Sequence, residues 1–274
     1  MYKRYLASPY ILWSAIFIIV PLILIAYFSL ETETAEGVAF TLNSYKRFFD
    51  PLYMNILIKS INLALITTIV CLLTAYPLAM ILNEKEMSNK TMILILIILP
   101  MWMNSLMRTY AWMILLENKG ILNSILEYLG LPTGQFLYGD GAIVFGMIYN
   151  FFPFMVLPIY NALAKIDPTL IEASYDLGAN KVQTFQRVIL PLSMPGVITG
   201  ILMVFMPSLT TFMVTRLLGG GQVVLIGNII EEQFTRTNDW GFGSALSVIL
   251  MLIILITIRL MGKNETLGRG GGIV

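Results

Sequence analysis

Residues 165–195 read KIDPTLIEASYDLGANKVQTFQRVILPLSMP, a polar, helix-forming stretch set between two segments apolar enough to dissolve in lipid. Asp167 followed by Pro168 is a helix start, because the carboxylate accepts a free backbone amide and proline's missing N–H costs nothing at the first helical position. Gly178 closes that short helix, since glycine enters the left-handed conformation without a side-chain clash. Asn180 with Gln183 three residues on is a second helix start of capping-box type, with the run to Leu190 expected to stop at Pro191. Two short helices therefore meet at one glycine, on the water side of a membrane.

Outward from that loop the chain is lipid-soluble almost throughout. Of its 274 residues 57% are hydrophobic and only 12% charged, with a mean hydropathy of +0.80, against about a quarter charged in soluble domains. A helix needs roughly 20 apolar residues to cross the hydrocarbon core. Residues 9–30, 60–82, 92–116, 142–164, 195–217 and 241–260 meet that requirement, and none of these stretches contains Asp or Glu. The expectation is an all-α polytopic membrane protein with six transmembrane helices, one membrane domain over 1–274 and a cytoplasmic coupling-helix loop at 165–195.

Lys3 and Arg4 before the first apolar run resemble a signal peptide, but the run is long and lacks a small-residue cleavage site, so it is expected to stay. Both termini then share a side. Placing them in the cytoplasm puts Lys3, Arg4, Lys85, Lys90, Lys165, Lys181, Arg187, Arg259, Lys263 and Arg269 inside, against Lys46, Arg47, Lys59, Lys119, Arg216 and Arg236 outside. The positive-inside rule favours this orientation. The outer loops are then 31–59, with a short interfacial helix, 117–141, with an amphipathic stretch, and 218–240. The connection at 83–90 is a polar turn. The outer loops also hold Glu31, Glu33, Glu36, Asp50, Glu117, Glu127, Asp140, Glu231, Glu232 and Asp239, an acidic entrance that attracts cations.

Several chemistries are excluded. Cys71 is the single cysteine and histidine is absent, which rules out an internal disulfide, histidine-based triads and the usual transition-metal clusters. No G-x-x-x-x-G-K-[ST] phosphate loop occurs, so pumping would require a partner that binds the nucleotide. An ion-driven secondary transporter would be expected to carry an intramembrane acid, and an intramembrane enzyme a nucleophile beside a base. Neither is apparent.

Within the spans, Arg108 is the ionisable residue that demands explanation. Asn104, Ser105, Thr109 and Trp112 adjoin its helical face, forming a polar strip that includes the phrase NSLMR. One reading makes the strip a substrate path or gate. The favoured one has Arg108 satisfying backbone carbonyls, freed by a kink at Pro100, to fix packing. Trp102 lies beside the strip. Tyr149, Phe152, Val156 and Tyr160 recur at helical spacing on the fourth span, where Pro153 and Pro158 interrupt the backbone ladder. Pro207, Ser208, Thr211 and Thr215 form a polar face on the fifth. Packing is the ordinary role of such aromatics, and Ser and Thr are common interhelical glue. The candidate path residues are therefore Trp102, Asn104, Arg108, Trp112, Tyr149, Phe152, Tyr160, Ser208 and Thr211.

Glu172, Ala173, Gly178, Leu190 and Pro191 stand at the spacing of the EAA motif, and the loop resembles that of the membrane subunits of bacterial ABC importers. Ser174 replaces the motif's second alanine and Val188 its usual isoleucine. Segments FTLNSYKRFFDPLYMN, NSLMRTYAW, FFPFMVLPIYNAL and LGANKVQTFQRVILPLSMPGV further resemble permease subunits of spermidine/putrescine importers, from the first outer loop to the fifth span. The resemblance implies a heterodimeric pore formed with a sister permease, two ATPase subunits that bind the ATP, and a periplasmic or extracellular polyamine-binding protein. It implies membrane lipid and no nucleic acid as surroundings, and no cofactor or catalytic residue in the chain itself. Glu172, Ala173, Ser174, Asp176, Gly178, Leu190 and Pro191 would couple to the ATPase. An importer for another solute, such as an anion attracted by Arg108, remains the alternative.

Overall fold

The computed structural model describes residues 8–34, 37–84 and 89–268. Lys3, Arg4, Lys85 and Arg269, used above to orient the chain, lie outside them, as do Glu36 of the first outer loop and residues 85–88 of the polar turn. The described chain is helical apart from one hairpin, β1 (Glu31–Thr34) paired antiparallel with β2 (Gly37–Phe40). Backbone contacts divide it into two compact units, residues 1–57 with 226–256, and residues 58–225 with 257–274.

In the first unit, α1 (Ser8–Ser14) passes through a π turn at Ala15–Ile19 into α2 (Val20–Phe28). The hairpin follows, an addition to the expected outer loop, and then the expected short helix α3 (Asn43–Phe48). Tyr45 donates to Ser29 Oγ at 2.8 Å. Arg47 pairs with Asp239 at 2.7 Å and lies 4.1 Å over the Phe242 ring, so one side chain latches α3 to the start of the last long helix.

The second unit holds most of α4 (Pro51–Asn83), then α5 (Lys90–Ile98), which runs on as a 3-10 turn Leu99–Trp102, α6 (Ser105–Leu116), α7 (Ile121–Tyr128) and α8 (Asp140–Leu163). The loop helices α9 (Pro168–Asp176) and α10 (Lys181–Thr184) lead through a π turn at Phe185–Ile189 into α11 (Leu190–Thr210) and α12 (Met213–Leu218). Beyond it α13 (Ile226–Thr235) and most of α14 (Trp240–Gly268) rejoin the first unit.

Six straight spans are not what the chain forms. Among the described residues, four helical stretches, Pro51–Asn83, Asp140–Leu163, Lys181–Thr210 and Trp240–Met261, are long and apolar enough to cross a membrane. The apolar helix Leu12–Phe28 falls below that length among the described residues, short of the roughly 20 residues required. The third expected span is broken, its halves bent by 97°. Pro100 has no N–H, Met103 is extended, and Asn104 turns its side chain to accept from Leu106 N at 2.8 Å, so a new helix starts there. The fifth ends at Thr210, where Thr211 adopts an extended conformation. At its other end the helix does not stop at Pro191. The π turn at Phe185–Ile189 shifts the hydrogen-bond register just before the proline, and helix continues from Lys181 to Thr210.

The core of this unit is the packing of α8 against α11, with Tyr76, Ala79 and Leu82 of α4 on the same cluster. Gly196 and Gly200, one helical turn apart, make it close. A Cβ at Gly196 would stand 2.5 Å from Ala162 Cβ and from Pro158 O, and one at Gly200 would stand 2.8 Å from Met155 Sδ. Small residues four apart let membrane helices approach to backbone contact, where dispersion replaces the hydrophobic effect that lipid cannot supply.

Candidate functional site: a groove and its loop

Both helix breaks border one cavity. Met101, Met103, Ser105, Arg108, Thr109, Asn150, Phe151, Phe154, Thr211, Met213 and Val214 enclose about 410 Å³. Irregular backbone at membrane depth is tolerated where protein buries it or a cavity solvates it, and here it comes from residues 103–104 and 211–212 together.

Arg108 is 8% exposed. Its Nη1 donates to the carbonyl of Pro100 and its Nε to Asn150 Oδ1 at 2.9 Å. Asn150 Nδ2 in turn donates to Thr109 Oγ1 at 3.1 Å and to Gly146 O at 2.9 Å, and Thr109 Oγ1 donates to Ser105 O at 2.8 Å. The guanidinium thus ties the two halves of the broken third span together through the Pro100 carbonyl and holds them to α8 through the Asn150 amide, the packing role favoured from the sequence. It stays in the cavity wall while its fork is engaged.

A second cavity of about 670 Å³ continues along the same faces, lined by Met101, Phe154, Leu157, Pro158, Asn161, Ala162, Lys165, Leu192, Pro195, Gly196, Thr199 and Met203. Met101 and Phe154 belong to both walls. From Asn150 to Lys165 the groove follows α8 for about 22 Å, at 1.5 Å per residue, most of the roughly 30 Å hydrocarbon thickness. It ends where the polar loop begins.

That loop has the caps expected of it. Asp167 accepts from Thr169 N at 3.0 Å, which holds its carboxyl below the usual carboxylate range. Asn180 and Gln183 exchange both capping-box bonds at 2.9 Å. Gly178 has φ +82°, and the amides of Gly178 and Ala179 return to Tyr175 O and Ser174 O at 2.8 and 3.0 Å, a Schellman-type closure. Ser174, where the motif has alanine, is buried and shares a 2.9 Å hydrogen bond with the buried Thr184, while also bonding Ile171 O at 2.7 Å. The departure from the motif is a tether between the two helices. Glu172, Ala173 and Asp176 face outward, with Leu177 at 89% exposure. Leu190 is half-buried and Pro191 exposed. Tyr76 anchors the loop's second helix to α4, with its hydroxyl 2.7 Å from Ser193 Oγ and its ring 5.7 Å from that of Phe185.

Of the path candidates, the groove brings together Arg108 and Thr211. Asn104 caps α6, and Trp102 is 87% exposed. Trp112 packs edge-on against Phe145 and Tyr149. Tyr149 and Phe152 line a separate apolar cavity against α4 and α5, Tyr160 packs on the core, and Ser208 is buried with no hydrogen-bond partner among the described residues. Asn150, Phe154, Asn161 and Thr199 are groove residues that the sequence reading passed over. A signal was present for Asn150, an amide inside an apolar span.

Residues 38–263 match the family of binding-protein-dependent transport system inner membrane components. The chain belongs to that family. The spermidine/putrescine transport system permease protein PotB of Escherichia coli K12 is 40% identical over 247 residues, 88% of this chain and 90% of that one. PotB of Haemophilus influenzae is 39% identical over 263 residues, 94% and 92% of the two chains. Among solved structures, a chain of the bacterial alginate ABC transporter, in complex with its pentasaccharide-bound periplasmic protein, superposes with a TM-score of 0.81. The overlap is 99% of this chain and 96% of that one at 16% identity. This family member therefore has the ABC importer permease fold, the four long helices and the bent pair forming its membrane part.

Proposed function

We propose that the chain is one membrane half of an ATP-driven polyamine importer, held in the inner membrane with both termini in the cytoplasm. The single observation that carries the mechanism is the groove that runs along α8 and α11 and ends at Lys165, the base of the exposed helical loop. The substrate class rests on the two PotB relatives, whose names specify spermidine and putrescine.

A sister permease supplies the facing wall, and a periplasmic or extracellular binding protein delivers substrate. Two ATPase subunits bind and hydrolyse ATP, so this subunit is not itself an enzyme and needs no cofactor. Glu172 and Asp176 offer carboxylates to basic side chains of the ATPase. Ala173 and Gly178 allow close backbone approach, Ser174 keeps the two short helices together, and Leu190 and Pro191 join the loop to the groove wall. Two features bear on a cationic solute. Arg108 is committed to Pro100 O and Asn150, which weakens the case for an anion bound to it. The groove offers no carboxylate but does present Phe151 and Phe154, whose faces attract an ammonium group by about 0.5–2 kcal/mol according to desolvation. The acids come from the sister subunit.

The test is ATP-dependent uptake of labelled spermidine by vesicles holding the assembled complex, challenged with unlabelled putrescine and a panel of small anions. Uptake blocked by the polyamine alone supports the reading. An assembled, ATP-hydrolysing complex that takes up no spermidine removes the polyamine assignment. Gly178→Leu, which forces a side chain into a left-handed position, should separate hydrolysis from uptake or prevent assembly.

A further inference from the structure

The groove is made of two cavities, and two side chains line both. The outer part holds the polar groups Arg108, Asn150 and Thr211, the inner part Asn161, Thr199 and Lys165, and only Met101 and Phe154 line both. Met101 sits on the 3-10 turn just before the 97° break, so its position is set by the least regular backbone of the unit. Phe154 sits on α8 directly after Pro153, one of two prolines interrupting that helix. Both side chains are half-buried. An unbranched thioether with three rotatable bonds and a flat ring thus both stand where the two cavities adjoin.

We infer that Met101 and Phe154 form the internal gate of this half-pore, an apolar pinch that closes the path between its outer and inner cavities. The inference rests on the transport reading above and names the residues that keep the path shut. With the pinch shut, neither ammonium nor water has a polar partner at that level, which is how a hydrophobic constriction blocks ions without a charged barrier. Movement of the broken span withdraws Met101 while Phe154 stays with the packed helix. The exposed ring face then meets the passing cation.

The experiment uses the complete complex in vesicles. Wild-type complex is assayed first for ATP-driven spermidine uptake, and failure there counts against the transport reading alone. The variants are assayed without ATP for downhill movement of spermidine and, independently of substrate assignment, of a small tetraalkylammonium ion. The double variant Met101→Ala with Phe154→Ala should raise ATP-free flux of one or both cations at least about tenfold, a change of about 1.4 kcal/mol in the barrier. Phe154→Leu, which keeps the apolar bulk, should remain closed. Should the double variant not assemble with its ATPase, Met101→Ala alone carries the same test, since removing a half-buried side chain leaves α8 intact. Assembled, ATP-hydrolysing alanine variants as tight as wild type to both cations would overturn the gate.

Discussion

Replacing Ser174 with the alanine that the motif usually carries should loosen this loop rather than improve it. The serine hydroxyl lies 2.9 Å from Thr184 Oγ1, and both residues are buried. Ser174→Ala leaves the threonine hydroxyl without that partner, at a cost of about 1–3 kcal/mol for a buried group. Thr184 can turn back onto the carbonyl one helical turn earlier, which places the effect near the low end, about 1–2 kcal/mol. Local opening of the loop then becomes about 5- to 30-fold more frequent. Hydrogen exchange of the assembled complex in nanodiscs reads this directly at Leu177, Gly178 and Ala179, whose amides close the first helix. Thr184→Val should show a comparable effect. The double variant, apolar on both sides, should recover part of it, with a coupling of about 0.5–1.5 kcal/mol. Strict additivity to within about 0.5 kcal/mol would refute the tether.

Gly196→Leu, by contrast, places a side chain where even a Cβ meets Pro158 O at 2.5 Å; overpacking of this kind costs about 1–3 kcal/mol, to be seen as a lowered unfolding temperature in detergent. Arg108→Met leaves Asn150 Oδ1 and the Pro100 carbonyl without their donor, so it should destabilise the assembled complex by about 2 kcal/mol or more. Arg108→Lys, which cannot reproduce the fork, should rescue only part of that loss. The lowered pKa of Asp167 gives the first loop helix a pH dependence. Its contribution is full above the unfolded-state value and fades as pH falls through the lower folded one. The protection factor of the Thr169 amide, measured against the intrinsic rate at each pH, should fall in acid, and Asp167→Asn should abolish that fall.

The loop was legible because its determinants are local. A carboxylate before a proline, a glycine at a left-handed position and an Asn-x-x-Gln pair each act within four residues, and each makes the bond its spacing requires. Pro100 signals a kink in the third span but not a break of 97°, because hydropathy averages over the turn at which Met103 extends and Asn104 recaps. Helical spacing placed Arg108 in a polar strip and suggested bonding to a carbonyl, yet its amide partner lies 42 positions away on another helix. The same limit explains the aromatic residues. Period alone put Tyr149 and Phe152 on one face, whereas contacts with α4 and α5 decide that they line a separate apolar cavity rather than the groove.

Because the π turn carries helix through Pro191, the stretch Lys181–Thr210 is a single rod of 30 residues, about 45 Å long. One end belongs to the exposed loop and the other to the break at Thr211, and between them the rod lies against α8 at Gly196 and Gly200. Such a rod is a lever with a close-packed fulcrum. A tilt of about 5° about that fulcrum moves the Lys181 end, roughly 26 Å away, by ~2 Å and the Thr210 end, roughly 18 Å away, by ~1.6 Å. A push delivered at Lys181 is therefore carried along continuous helix, past Pro195 and Pro207, toward the wall of the cavity that Arg108 lines, and the glycines that permit close packing also set the ratio of input to output stroke.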